Sequence, residues 1–174
     1  NIRHTIVGTM TYNGALLEMT GGEGYIEKDW GKSFPQAWLW MQANHFANPN
    51  SSFMFSIARI PWLGTSFTGL ISFLRTDQGF FRFATYNGSK VRSCKMNGDQ
   101  IKATLKSPTH VLSFTANYAR GGILKAPKNG MMLREIEESI TAEISLELYD
   151  HHGNMLYQDA SNRAGMEIAG QFDY

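Results

Sequence analysis

The chain is poor in cysteine, in charge and in long apolar runs, and each scarcity excludes a class of protein. Its single cysteine, Cys94, excludes an internal disulfide and favours a reducing compartment. Charged residues make up 18% of the 174 residues, and no run of lysine or arginine indicates a nucleic-acid partner. No stretch approaches the roughly 18 apolar residues of a membrane-spanning helix. We therefore expect a cytoplasmic protein that does not bind nucleic acid, with contact at a membrane surface left open.

Aromatic residues, by contrast, are abundant, at 13% of the sequence. An aromatic-rich chain of this length can bury a real core, which argues against disorder and predicts one domain over residues 1–174. No segment shows a sustained helical period, whereas turn signals such as Asn13-Gly14 and Asn87-Gly88 recur about every 8–12 residues. This spacing predicts an all-β fold, an antiparallel barrel or sandwich with at most one short helical turn.

The turn signals divide the chain into candidate strands. Each candidate is rich in β-branched or aromatic residues and is bounded by glycine, proline or asparagine. The predicted strands are 3–12, 15–19, 38–46, 53–60, 67–74, 80–86, 91–96, 100–106, 110–118, 140–149, 155–160 and 165–172.

One segment, 120–133, interrupts this rhythm. It carries Gly121-Gly122, Pro127 and Gly130 among apolar residues, which predicts a long irregular loop that forms a lid or rim, or else covers an open end of the barrel. The strand after it alternates clearly, and every second residue from Ile140 to Leu148 is expected to face the core.

The segment 38–46 has an unusual alternation of side chains. Trp38, Trp40, Gln42 and Asn44 fall on one face, and neither face is simply polar. Two indoles beside two amides can bind a flat apolar ligand and still offer it hydrogen bonds. The alternative is a core strand whose indoles pack and whose amides satisfy the backbone.

Familiar catalytic motifs are missing from the sequence. There is no Cys-x-x-Cys, no His-Glu-x-x-His and no glycine loop followed by a helix, and no two histidines have metal-ligand spacing. Three carboxylates, Glu23, Glu27 and Asp29, lie between glycines and aromatic residues instead. A carboxyl group held against indoles has a raised pKa and can act as a general acid. The alternative is that Glu27, Lys28 and Asp29 form ion pairs in a surface turn.

Residues 24–35 followed by 38–44 resemble the signature of the tocopherol cyclase family, which runs Tyr-x-Glu-Lys-x-Trp-Gly, then Phe-Pro, then Trp-x-Trp-x-Gln-x-Asn. Two later stretches, 124–127 and 166–170, also resemble the family, so the likeness spans most of the chain in matching order. Gly24-Tyr25-x-Glu27 is more faintly similar to the carotenoid hydratases.

This resemblance implies a fold and partners. Both families are built from two lipocalin-like β-barrel halves, and this chain resembles only the second half, so residues 1–174 are expected to form one lipocalin-like domain. A His-Trp pair of the families would fall before Asn1. We therefore expect the missing N-terminal half, or a second copy of the chain, as a partner.

The resemblance also implies a reaction without cofactor or metal: closure of a prenylquinol to a chromanol by protonation of an alkene. It assigns Glu27 as the acid and Tyr25 as the residue that orients the acid or the phenol. The remaining residues would bind the isoprenoid or prenylquinol ligand, with indoles around the cation and amides at the quinol oxygens: Trp30, Trp38, Trp40, Gln42 and Asn44. The alternatives are a lipocalin-like module that binds such a ligand unchanged, and a half that supports its partner structurally.

Overall fold

The computed structural model describes residues 1–170, which form two compact units. The first is Asn1–Gly31, and the second begins at Lys32. The expectation of a single domain over residues 1–174 stays a prediction. No helix within residues 1–170 is long and apolar enough to cross a membrane.

The first unit contains two small antiparallel pairs of strands. In one, β1 (His4–Thr5) pairs with β4 (Glu23–Gly24), and in the other β2 (Thr9–Tyr12) pairs with β3 (Ala15–Glu18). The predicted strand 3–12 is therefore interrupted, and Gly8, at φ 127°, lies at the break. The predicted hairpin turn at Asn13-Gly14 is confirmed, because both residues have positive φ.

The second unit is a ten-stranded antiparallel sheet. Its strands are β5 (Ala37–Ala43), β6 (Ser52–Trp62), β7 (Thr65–Thr76), β8 (Gly79–Ala84), β9 (Lys90–Asn97), β10 (Gln100–Lys106), β11 (His110–Asn117), β12 (Gly122–Lys128), β13 (Met131–Asp150) and β14 (Met155–Ala169). Their order in the sheet is β8-β7-β6-β5-β14-β13-β11-β10-β9, and β12 pairs with β13 outside this path. A 3₁₀ turn, Thr85–Asn87, follows β8. The all-β prediction is confirmed, and the sheet does not close into a barrel within the described residues.

The sheet is bent, so that strands far apart in its order pack into one core. Phe53 and Phe55 of β6 contact Phe114 of β11, with ring centroids 5.3 and 4.8 Å apart. Such edge-to-face contacts between distant strands exclude water from the core between them. Cys94 lies in this core, where burial raises its thiol pKa to about 11, as expected for an unreactive structural cysteine.

The predicted loop over 120–133 is wrong, because these residues form β12 and the start of β13. Asn129 and Gly130, at φ 53° and 82°, make the two-residue turn that joins the strands. Pro127 misled the prediction because proline lacks the N–H that a strand ladder requires. In the structure it lies at a register shift between Ala126 and Lys128, where the ladder requires no donor.

The inward direction predicted for Ile140 is also wrong, since its side chain is exposed. A bulge between Ser139 and Ala142 resets the alternation, so that Ser139 and Ala142 are both buried. Alternation from Ala142 to Leu148 is as predicted. The two strands predicted at 155–160 and 165–172 are one strand, β14, and Phe172 lies outside the described residues.

Asp159 on β14 fastens the loop that follows β5. Its carboxylate accepts hydrogen bonds from the backbone N–H groups of Ala47 and Asn48, at 3.2 and 3.0 Å, and from the Tyr157 hydroxyl at 2.7 Å. Burial is the largest single influence and raises the pKa of Asp159, but the hydrogen bonds together outweigh it and hold the pKa below that of an ordinary aspartate.

We expect Asp159→Asn to lower the free energy of unfolding by about 1 kcal/mol at neutral pH, because partly exposed charged hydrogen bonds are screened by solvent. A depressed folded-state pKa contributes stability above the unfolded value, and this contribution is lost as pH falls through the folded pKa. The difference in the free energy of unfolding between the wild type and Asp159→Asn, measured by urea unfolding, should therefore shrink below about pH 4. The exposed Asp99→Asn serves as control, and a gap that is independent of pH would contradict the assignment.

Candidate functional site

The two faces of β5 pack into different cores. Leu39, Met41 and Ala43 point into the main core. Trp38 points to the other face and packs in a smaller core with Ala126, Ile136 and Ala169, and the ring of Phe34 meets its indole edge-on at 5.6 Å. The alternation predicted for 38–43 is therefore present, and both faces of the strand are covered.

Glu167 on β14 places a carboxylate beside the Trp38 indole of β5. The indole N–H of Trp38 donates to Oε2 of Glu167 at 3.0 Å, and Glu167 lies opposite Trp40 in the strand register. The sequence analysis gave this residue no role. The signal that could have found it is alternation, since Glu167 is directed to the same face as Ala169, which packs on Trp38.

A glycine on β14 leaves room for the Trp40 indole. A Cβ atom added at Gly165 would lie 3.1 Å from Cζ3 of Trp40. Gly165 is opposite Gln42 in the register, and Nε2 of Gln42 is buried without a hydrogen-bond partner among the described residues. An unpaired buried donor costs free energy and fits the oxygen of a ligand. Asn44 lies just beyond the end of β5 and is half-buried.

Arg134 on β13 fixes the segment that enters β5. Its guanidinium carbon is 4.5 Å from the centroid of the Trp38 ring. Nη1 donates to the carbonyl of Pro35 at 2.7 Å and Nη2 to that of Gln36 at 2.9 Å. The planar fork of arginine can make both bonds while it stacks on an indole.

In the first unit, Tyr25 donates a hydrogen bond of 2.5 Å to Oε2 of Glu27. Burial, then this bond to Glu27, raise the pKa of Tyr25, so its hydroxyl stays a donor. Burial, then the charge of Glu27, also raise the pKa of Asp29. Trp30 is 83% exposed, with the Lys28 ammonium 5.7 Å from its ring centroid. This unit thus holds a compact group of one phenol and two carboxyl groups.

The structure therefore brings together Trp38, Trp40 and Gln42 in the second unit, and Tyr25 and Glu27 in the first. Their catalytic and ligand-binding roles stay predictions. Two surface depressions, of about 540 and 330 Å³, are lined by other residues: the larger by parts of β11, β13 and β14 with His45, and the smaller by β8 and residues 107–110.

The model of the family described as tocopherol cyclase-like matches residues 3–170. The chain belongs to the tocopherol cyclase-like family. It is similar to the chloroplastic tocopherol cyclase of Zea mays, at 26% identity over 94% of this chain and 36% of the relative. A probable chloroplastic tocopherol cyclase of Oryza sativa subsp. japonica is 23% identical over 94% of this chain and 37% of the relative. No solved structure matches the chain significantly.

Membership of the tocopherol cyclase-like family confirms the resemblance that the sequence motifs indicated. The chain spans little more than a third of the length of the curated relatives that it matches. The matched region includes both the Tyr25–Glu27 pair and the Trp38–Glu167 pair.

Arg134→Lys tests whether Arg134 stabilises the segment that leads into β5. A lysine supplies a point charge and cannot hold two carbonyls while it stacks on the indole, so we expect the free energy of unfolding to fall by about 2 kcal/mol. Arg82→Lys is the matched control, because Arg82 is exposed and lies 5.4 Å from the Phe80 ring centroid. Denaturant unfolding measures both. Equal losses in the two variants would show that Arg134 has no special role.

Proposed function

We propose that this member of the tocopherol cyclase-like family binds a prenylated hydroquinone or a related isoprenoid and closes it to a chromanol by acid catalysis. The observation that carries the proposal is the buried Nε2 of Gln42, which has no partner among the described residues and lies on the same face as Trp38 and Trp40. A quinol oxygen would satisfy this donor.

The indoles supply the other half of the recognition. Trp40 is half-buried beside Gly165, and its ring face can contact an apolar prenyl chain. Indole faces also attract cations, which suits a reaction that passes through a carbocation. Asn44 would offer a second amide to the quinol.

The proposed reaction is an isomerisation. A carboxyl group donates its proton to one carbon of the trisubstituted alkene, which leaves a tertiary cation on the other carbon. The phenol oxygen attacks that cation, and the new C–O bond closes the ring. The phenol proton then passes to the carboxylate and restores the acid, so no atom is lost and no cofactor or metal is consumed.

Glu27 is the proposed acid. The hydrogen bond from Tyr25 fixes its carboxyl group, and Tyr25 is thereby the positioning residue. Asp29, whose pKa is raised by burial and then by the charge of Glu27, holds a proton to higher pH than an ordinary aspartate.

A second candidate function is binding without conversion. The exposure of Glu27 and of Trp30, which is 83% exposed, favours this reading, because acid catalysis of alkene protonation requires a dry site. A lipocalin-like module of this kind would hold the isoprenoid by the β5 indoles and release it unchanged.

Turnover of a prenylated hydroquinone under anaerobic conditions distinguishes the two functions. Substrate and chromanol have the same mass, so they must be separated by chromatography. We expect Glu27→Gln to lower the rate by about a hundredfold or more, as removal of a proton donor does, while the dissociation constant changes little.

Glu18→Gln is the matched control, because Glu18 is an exposed carboxylate of the same unit that bonds to Thr20. Wild-type turnover by Glu27→Gln would refute Glu27 as the acid. Binding without turnover in a longer protein that contains this chain would establish the carrier instead, and no binding at all would refute both functions.

A partner completes the proposed site. The relatives carry much more chain than the matched region. Since a misplacement of about 1 Å can cost around a hundredfold in rate, we propose that activity needs a partner half or a second copy. Comparison of this chain with a longer protein containing it, at several concentrations, tests the point. Equal activity from both, independent of concentration, would show that this chain suffices.

A further inference from the structure

The turn between β6 and β7 places a leucine where this chain otherwise uses asparagine. Leu63 and Gly64 form a two-residue turn with φ 45° and 81°. The turns Asn13-Gly14 and Asn129-Gly130 have the same pattern, with φ 49° and 80°, and 53° and 82°. Asparagine tolerates the left-handed region, whereas leucine is strained there. Leu63 is also 89% exposed, so neither local conformation nor burial accounts for it.

The neighbours of Leu63 make the tip an apolar projection. Trp62 is 61% exposed and Phe67 is also exposed. From Arg59 to Arg75 the sequence contains no acidic residue, and arginine stands at each end. Exposed tryptophan and leucine at the tip of a hairpin are typical of side chains that enter the interfacial region of a bilayer.

A second apolar tip lies at the same end of the second unit. The hairpin of β12 and β13 exposes Met131, Met132 and Leu133 just after its turn. The segment 32–36 runs between the two hairpins. The carbonyl of Lys32 accepts from Gly130 N at 2.7 Å, and Gln36 N donates to the carbonyl of Arg59 at 3.2 Å.

The side chains beside the turn of this second tip are basic. Lys128 directly precedes Asn129-Gly130, and Lys32, whose carbonyl bonds to Gly130, lies at the same turn; both lysines are exposed. Residues 126–134 contain no acidic side chain. Glu135, the next residue, forms an ion pair with Lys125 at 2.5 Å. Basic side chains beside exposed apolar groups are attracted to anionic headgroups over about a Debye length.

We propose that the β6–β7 and β12–β13 tips together dock this protein on the surface of a lipid bilayer that contains anionic lipids. Trp62, Leu63, Met131 and Met132 enter the interface, and the basic side chains contact the headgroups. This surface is independent of the catalytic proposal, since lipid binding requires neither Glu27 nor Gln42.

Sedimentation with vesicles tests the proposal without any substrate. We expect the whole chain to bind vesicles of phosphatidylcholine and phosphatidylglycerol more tightly than vesicles of phosphatidylcholine alone, with binding weakened by salt. Leu63→Asn should weaken this binding about tenfold, because one buried leucine is lost from the interface. The same substitution should leave the melting temperature unchanged or higher, because it relieves the strained turn.

A double variant, Met131→Ser with Met132→Ser, should weaken binding similarly. Met155→Ser is the matched control, since Met155 is an equally exposed methionine beyond the opposite end of β13. Unchanged vesicle binding by Leu63→Asn, or an equal loss in Met155→Ser, would overturn the proposal. A dimer in solution that Leu63→Asn dissociates would assign the surface to a second copy and also overturn it.

Discussion

The larger unit depends on one strand that changes its partner half-way along its length. The first part of β13 pairs with β12 and the second part pairs with β11, while β14 follows its other edge. The change occurs at the bulge between Ser139 and Ala142. At the same point, a side chain on Gly121 would collide with the backbone of Glu138, so only glycine allows β12 to begin there. A bulge increases the local twist of a strand, so the two parts of β13 contribute to different cores.

This division explains why both faces of β5 are occupied. The second part of β13 and its neighbours enclose the main core with β6 and β11. The first part, with β12, supplies Ile136 and Ala126 to the smaller core around Trp38. A strand whose residues alternate between two cores needs apolar side chains on each face. The central motif therefore combines a structural requirement with a candidate ligand surface.

Local periodicity predicted the regular strands well, because side-chain alternation and turn chemistry are encoded within a few residues. The predicted strand 100–106 coincides with β10, and the turn at Asn13-Gly14 is present. The errors lie where pairing over long distances overrides local preference. Pro127 is accepted at a register shift, and Ile140 is turned outward by a bulge that depends on β14.

Only part of the candidate site could be predicted from the sequence, because the rest depends on the pairing of distant strands. Trp38 and Gln42 share a strand, so their common face follows from the sequence. Glu167 is 129 residues from Trp38 along the chain, and its hydrogen bond to that indole follows only from the pairing of β5 with β14. The phenol and carboxyl groups of Tyr25 and Glu27 are two residues apart, so their proximity was already implied by spacing.

The path of strands ends on β8 and β9 within residues 1–170, so each of these two strands has one edge that pairs with no other described strand. Three basic side chains, Lys90, Arg92 and Lys95, lie along β9 and repel a second chain approaching it. Arg82 is the only charged residue of β8, among Phe80, Phe81 and Phe83. In a concentrated solution, this edge of β8 is consequently where a foreign strand would extend the sheet, and where assembly into fibres would begin.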